Sequence, residues 1–506
     1  MKINIIGAGV SGLSAGCYLQ MNGFETQIFE KNATSGGLCT SWKRGDYTFD
    51  GCLHWLMGSN KYSPFYKLWC ELIDMQSVDF VNHQTKIDFE LKQHTDKYGG
   101  KVFHLYTDIK QLEDYLIEHA PEDARTIKKF TQSIREIQKY SLPPLVDKIP
   151  GYRSIKDYAI YIKYLPFVFL YLKWRKVTNY SFAKRLKNPF IKEAFELLFD
   201  GENLKLILIS VPLAFCDNKC AGYPIGGSYL FAKKMEEKYV SLGGKINFSN
   251  AVEKIITENG IAKGLLLGNG TKDFSEITIS AADWHYTVFE ALDGKFLDKK
   301  IVELRSQKKL RVFYSMVLIS LGISRSFKDE PHLFRFPLEH ELVSPDGTIY
   351  NRIEVHFYNY DPHLTSEGKT VVSVSFCTRN SDYWIAMRSN DKENYLKNKE
   401  TFAEEVIGIL ENKFGNIKQY IEVIDIATPA TYYRYTNNWK GSVQGWLPEQ
   451  DLMAASPIAY QLPGLKQFYF ASHWSVPGGG LPIAIKTARD VAQIICKKHH
   501  QDFKTE

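Results

Sequence analysis

The chain has 506 residues, enough to bury a large core in two or three domains, and its 44% hydrophobic and 24% charged content excludes a disordered or collagen-like polymer. Its net charge of +6, from 63 basic and 57 acidic residues, is too balanced for nucleic acid to be the default partner. Eight scattered cysteines make no disulfide framework, and the N-terminus enters a strand at once rather than a secretory leader, so a cytoplasmic protein is expected.

In chain order, residues 2–6 read as a strand, Gly7-Ala8-Gly9-Val10-Ser11-Gly12 as a glycine turn, the next stretch as a helix, and Thr26-Gln27-Ile28-Phe29 as a second strand. Each glycine has a mechanical task. Gly7 allows the tight turn, Gly9 lets a pyrophosphate approach the backbone, and Gly12 lets the helix pack on the strand, with the phosphates at the helix N-terminus. Glu30 follows Gly7 by 23 positions, close to the spacing of roughly 20 expected for a carboxylate that binds an adenosine ribose. An acid there repels a 2′-phosphate, so NADP fits poorly. Glu30 and its neighbour Lys31 are candidate cofactor contacts. Ser35-Gly36-Gly37 comes next, and a glycine pair lets the chain pass close to phosphates and a ribityl chain, which favours FAD over NAD.

Thr48-Phe49-Asp50-Gly51-Cys52-Leu53-His54-Trp55 follows. A dinucleotide fingerprint, a glycine pair and then Phe-Asp-x-x-x-His-aromatic resemble the phytoene desaturase, carotenoid isomerase and retinol saturase family of FAD-dependent oxidoreductases. His54 and Trp55 match its pattern, whereas Cys52 stands where the family has glycine. The resemblance implies an α/β fold: a Rossmann-like FAD-binding domain of the glutathione reductase and amine oxidase type, with an inserted mixed-sheet and helical substrate domain.

From 76 to 210 the glycines thin out and the pattern becomes mostly helical, as in Asp108 to His119 and Arg125 to Ile137. Within it, the segment 159–176 is aromatic and apolar, but its uncharged run, Tyr164 to Leu172, is nine residues against the roughly 20 that span a bilayer. Its basic neighbours, Lys156, Lys163, Lys173, Arg175, Lys176, Lys184, Arg185 and Lys187 against Asp157, suit contact with anionic headgroups, with Trp174 and the tyrosines at the interface. A helix packed inside the substrate domain is the alternative. Cys216 and Cys220 lie four apart with no second pair or histidines at zinc spacing, so no metal site is expected.

Gly222-Tyr223-Pro224-Ile225-Gly226-Gly227 precedes a helix over Tyr229 to Leu242, and strands follow at 245–248, 253–257, 262–267 and 277–280. This layout resembles the same family, which implies that the backbone around Val252 holds the adenine and that the loop 281–283 closes over the cofactor. Residues 300 to 450 carry strands at 310–321, 353–358 and 371–376 and an amphipathic helix at 397–413, and Gln444 sits where relatives often carry tyrosine.

Phe468 to Ala471 reads as a strand, and Ser472-His473-Trp474-Ser475-Val476-Pro477-Gly478-Gly479-Gly480-Leu481-Pro482 leads into a helix over 483–497. Glycines before a helix N-terminus offer approachable amides and a positive dipole end to a flavin that becomes anionic on reduction. The family pattern matches Trp474 and Pro477 to Pro482, while Ser472 replaces a glycine and His473 a glutamine. Ser472, Pro477, Gly478, Gly479, Gly480 and Leu481 are therefore candidate cofactor contacts.

The expected organisation is an FAD-binding domain in three segments, 1–75, 216–299 and 456–506, with a helical and substrate segment at 76–215 and a substrate sheet at 300–455. The expected function is hydride exchange between FAD and a long apolar unsaturated lipid, a carotenoid, retinoid or fatty acid, in a tunnel lined by Phe and Tyr. His54 is the candidate acid or base, because an ordinary pKa near 6.5 suits proton transfer at neutral pH. His473 and Trp474 are second candidates on the flavin face. A reduced-flavin isomerase, a prenyl-lipid carrier or an amine oxidase on the same fold are the alternatives. The electron partner, whether quinone, oxygen, nicotinamide or a redox protein, stays open.

Overall fold

The computed structural model describes residues 1–91, 102–140, 149, 162, 164–199, 201–308, 310–447 and 459–506. Its centre is a five-stranded parallel sheet in the order Phe468–Phe470, Ile277–Ser280, Lys2–Ile6, Glu25–Phe29, Lys245–Asn247. The N-terminal strand is central and its Ile3 and Ile5 are fully buried, which is why it reads as a continuous apolar run. Asn4, buried in the same strand, is satisfied by Asp273 at 2.8 Å.

The helix Val10–Met21 is buried along most of its length, which explains its run of Ser, Gly and Ala. It is wedged between the sheet and the helices Gly227–Ser241 and Gly480–Lys498. A Cβ on Gly16 would lie 2.5 Å from the Tyr239 ring, so the close helix crossing depends on glycine there. A three-stranded antiparallel sheet, Val252–Glu258, Ile261–Leu267 and Lys272–Phe274, flanks the first.

The second large sheet has seven strands in the order Ile421–Ala427, Ser315–Ile323, Thr370–Thr378, Ile349–Phe357, Leu333–Val343, Thr85–Glu90, Val102–Tyr106. All neighbours are antiparallel except Thr85–Glu90 beside Leu333–Val343. The stretch read as mostly helical thus also supplies two strands of this sheet, and their pairing is non-local. Alternation decides the faces: Val317, Ile319, Val355, Phe357, Val372 and Val374 pack on the helix Lys392–Phe414 through Phe402, Val406 and Leu410. Glu354, His356 and Ser373 consequently face the other way.

Among the described residues, six α-helices between Ile109 and Asp217 join residues of the strands Thr85–Glu90 and Val102–Tyr106 in a separate apolar cluster. In the helix Leu165–Trp174, Phe167, Tyr171 and Trp174 point into that cluster while Leu165, Phe169 and Leu172 are exposed. The expectation that Trp174 and the tyrosines meet an interface is corrected for Tyr171 and Trp174, which are core residues; the exposed apolar edge is aliphatic and phenyl. Residues 156, 157, 159–161 and 163 lie outside the described residues. No helix among the described residues is long and apolar enough to cross a membrane.

Candidate functional site

The two ends of the chain and its middle meet around a cleft of about 1070 Å³ of atom-free space, open to solvent. Gly7, Gly9, Glu30, Lys31, Gly36, Gly37, Val252, His473, Gly480 and Leu481 all line it, from segments spread over the whole sequence. Gly9 precedes the helix Val10–Met21 without a side-chain cap, so the first-turn amides stay free at the cleft. Gly12 is packed against the turn instead: a Cβ there would lie 1.9 Å from the Gly7 carbonyl oxygen. Gly36, at φ +110°, donates its amide to the Ala8 carbonyl at 2.9 Å, and a Cβ would collide with the Cys39 carbonyl at 2.4 Å.

Glu30 is 5% exposed. Its carboxylate accepts the Ala8 amide and both the backbone and side-chain N–H groups of Asn32, each at 2.8 Å. Burial raises its pKa against the pull of these bonds. Lys31 lines the cleft but spends its ammonium on the Arg434 carbonyl at 2.7 Å and Asn437 Oδ1 at 2.6 Å, tying the strap at 434–437 to the rim. Burial lowers its pKa. Val252 offers its side chain, since its carbonyl accepts the Tyr286 hydroxyl.

At the other end, Gly480 and Leu481 open the C-terminal helix toward the cleft, again with no side-chain cap. The preceding residues shape the loop rather than line it. Gly479, at φ +48°, leaves room for the Gln444 carbonyl, which a Cβ would meet at 2.0 Å. Gly478 donates to the Trp446 carbonyl at 3.0 Å and accepts Gln444 Nε2 at 2.6 Å, so Gln444 is a brace for this loop. Pro477 is buried beside it, and Ser472 caps the short turn His473–Ser475. His473 Nε2 is buried with no hydrogen-bond partner among the described residues, and burial lowers its pKa to about 4. Trp474 is corrected as a flavin-face residue. It is fully buried, meets Trp446 edge-on at 5.2 Å, and donates to Asn438 Oδ1 at 3.3 Å.

The residues present fit an adenine dinucleotide carrying a flavin. Uncapped helix N-termini stand at both ends of the cleft, the Glu30 carboxylate lines it, and the imidazole Nε2 of His473 has no hydrogen-bond partner among the described residues. Asp283, also lining the cleft, has its pKa raised to about 7 by burial, in spite of bonds from the Trp439 and Tyr286 amides.

His54 reaches this region on a turn fixed by Asp50. The Asp50 carboxylate accepts the Cys52 amide at 2.9 Å and the Ser228 hydroxyl at 2.6 Å, and Ser228 in turn accepts the Leu53 amide at 2.8 Å. Cys52 lines the cleft, and two residues on His54 lies against the outward face of the seven-stranded sheet, beside His356. His54 retains open surface yet is desolvated enough that its pKa falls to about 4. Its ring meets His356 edge-on at 4.4 Å. His83 and His332 stack at 3.6 Å, and Lys86 Nζ lies 4.7 Å over the Trp55 ring. Sequence reasoning missed His83, Lys86, His332 and His356, because only strand register brings them together. Beside the expected Phe and Tyr lining, this face carries polar groups.

Residues 5–72 match the model of the NAD(P)-binding Rossmann-like domain. The 4,4′-diapophytoene desaturase (4,4′-diapolycopene-forming) of Methylomonas is 23% identical over 99% of this chain and 96% of its own. The chloroplastic prolycopene isomerase of Daucus carota is 25% identical over 94% of this chain and 77% of its own. Among solved structures, an oxidoreductase from Methanosarcina mazei superposes with a TM-score of 0.60 at 15% identity, covering 96% of this chain and 99% of its own. Cyclohexylamine oxidase of Brevibacterium oxydans does so at 0.55 and 13%, over 99% of each chain. These structures share the fold.

Proposed function

We propose that the chain, which is similar over 94–99% of its length to carotenoid desaturases and isomerases at 23–25% identity, is an FAD-dependent oxidoreductase of a long apolar unsaturated lipid. The observation that carries the reading is the cleft that joins Glu30, the uncapped N-terminus of the helix Val10–Met21, Gly36-Gly37, and the uncapped N-terminus of the helix Gly480–Lys498 in one space. In this reading Glu30 binds the adenosine ribose, Val252 borders the adenine, the amides after Gly9 face the pyrophosphate, and Gly480 and Leu481 face the flavin. When bound, FAD supplies hydride exchange at N5 with a substrate carbon.

The protein's own groups divide the remaining work. Asp50 holds the turn that presents His54, and His54, neutral at pH 7, can accept a proton but carries none to give as an imidazolium. His473, likewise neutral, offers a hydrogen bond at the flavin end of the cleft. Leu38 and Val443 line the cleft and pack against the buried cluster of Leu318, Ala427 and Tyr432, which gives the cleft an apolar wall. The exposed apolar edge of Leu165–Trp174, beside exposed Lys173, Lys176, Lys184, Arg185 and Lys187, serves as a peripheral membrane contact through which the lipid arrives.

The test is the anaerobic absorbance spectrum of the purified protein before and after a panel of polyene lipids, without nicotinamide. Bleaching of a yellow flavin band by one lipid establishes a desaturase. A stable yellow band points to the second reading, a saturase or isomerase that needs prior reduction, favoured by the relation to prolycopene isomerase and resolved by product mass. A colourless protein that cannot be reconstituted with FAD would overturn the flavoenzyme reading in favour of a carrier.

A further inference from the structure

Beyond Cys52, the side chains of His54, His83, Lys86, His332, Glu354 and His356 come together, and each keeps some accessible surface. Strand geometry assembles them. His332 and His83 sit at the mouths of adjacent strands, Glu354 and His356 share the sheet face turned away from the apolar core, and Lys86 lies at the register shift between Thr85 and Ile87. Glu354 is committed to Arg335, whose Nε lies 3.1 Å away and whose guanidinium also grips the Leu197 carbonyl at 2.9 Å.

Two groups in this cluster lack a hydrogen-bond partner among the described residues. His83 Nε2 is buried with no hydrogen bond. Lys86 has no hydrogen bond or ion pair among the described residues and lies over the face of Trp55, with Glu354 and Cys216 close enough to act electrostatically, and burial lowers its pKa. Four imidazoles, His54, His83, His332 and His356, surround it, and burial keeps each of them neutral at pH 7. A hydrocarbon placed here would leave a buried ammonium and several ring nitrogens unsatisfied, a costly arrangement. An anionic group would satisfy both, by a charge-assisted bond to Lys86 and neutral N–H donors around it.

We propose that this histidine and lysine cage receives a carboxylate at the end of the substrate's chain, so that the substrate is an amphipathic unsaturated acid. The inference rests on the lipid oxidoreductase reading and narrows its substrate class. A neutral head would leave the Lys86 ammonium without a counter-charge, and a larger anion such as a diphosphate would bring more negative charge against the Glu354 carboxylate nearby. The turn from Cys52, which lines the cofactor cleft, to His54 joins the cage to that cleft.

The experiment titrates the full-length protein with all-trans-retinoic acid, its methyl ester and all-trans-lycopene, read by tryptophan fluorescence quenching and by the polyene absorbance. The acid is expected to bind at least about tenfold more tightly than the ester. Lys86→Met is expected to remove that preference while leaving ester affinity and flavin content unchanged, and Lys86→Arg to restore it. Equal binding of acid and ester by the unmodified protein overturns the cage proposal and leaves the lipid reading standing, and this comparison needs no variant to fold. Failure of all three lipids to bind a flavin-loaded protein overturns the lipid reading and the cage with it.

Discussion

The Glu30 carboxylate and the Ala8 amide are joined by a hydrogen bond of 2.8 Å, which ties the end of the second strand to the glycine turn of the first. The same carboxylate faces the cleft, so it supports the turn and offers a ribose contact at once. Glu30→Ala removes both. The apo protein is expected to lose about 1–3 kcal/mol of stability, from unsatisfied donors at Ala8 and Asn32, and to bind FAD at least about tenfold more weakly. Thermal melting and the flavin content of the purified variant check the two effects separately.

Gly9 and Gly12 belong to one motif but do different work. A Cβ on Gly12 would lie 1.9 Å from a backbone oxygen that cannot swing away, so Gly12→Ala is expected to cost more than about 3 kcal/mol and to yield little soluble protein. At Gly9 φ is −71°, which any residue adopts, and the nearest atoms to an added Cβ are 3.9 Å away. Gly9→Ala should therefore melt within a degree or two of the unmodified protein, yet be isolated without flavin. A Gly9→Ala protein that retains flavin would remove the pyrophosphate from this turn.

The contrast explains what was legible in the sequence. Glycines that let a backbone approach phosphates, and an acid at a fixed distance along the chain, are local constraints, so the cleft at both ends could be read from short runs. Trp474 was misread because a motif names a residue without its direction, and here the indole turns into a cluster with Trp446. The cage was illegible for a deeper reason. His83 and His332 are far apart in sequence and meet only because Thr85–Glu90 adds to the sheet beside Leu333–Val343, a parallel pairing that no local pattern encodes. The strand Thr85–Glu90 itself hid in a region whose helices dominate the periodicity.

Histidine burial sets the pH response. Burial lowers the pKa of His54, His83, His285 and His473 to about 4 and that of His332 to about 2. Because the unfolded chain takes up protons on these groups first, near 6.5, the stability they confer is present above that pH and is lost as pH falls from 6.5 through about 4. Asp283 acts oppositely. Its pKa is raised to about 7, so the stability linked to its protonated form is present below about 4 and lost as pH rises through 7. Melting temperature is expected to drop on acidification from about pH 6.5 towards 4, and because the Asp283 contribution runs the other way over that range, Asp283→Asn is expected to make the drop steeper. A melting temperature independent of pH between about 7 and 4.5 would show that these imidazoles titrate in contact with water.

The helix Leu165–Trp174 separates two apolar edges by simple geometry. Phe167, Tyr171 and Trp174 recur at positions i, i+4 and i+7 and fill the helical core, and Leu165, Phe169 and Leu172 recur at the same spacing on the outside. Phe169 is 69% exposed and Leu172 46%, so replacing both by aspartate removes little packing, and the melting temperature should stay where it is. Binding to vesicles rich in phosphatidylserine should fall at least about tenfold, because the change deletes buried apolar area at the interface and adds repulsion from the headgroups. Cosedimentation of the unmodified protein and the double variant with phosphatidylserine and with phosphatidylcholine vesicles measures this. Binding that follows charge alone, unchanged in the double variant, would assign the contact to the lysines and arginines of residues 173–187 and leave the exposed edge without a lipid.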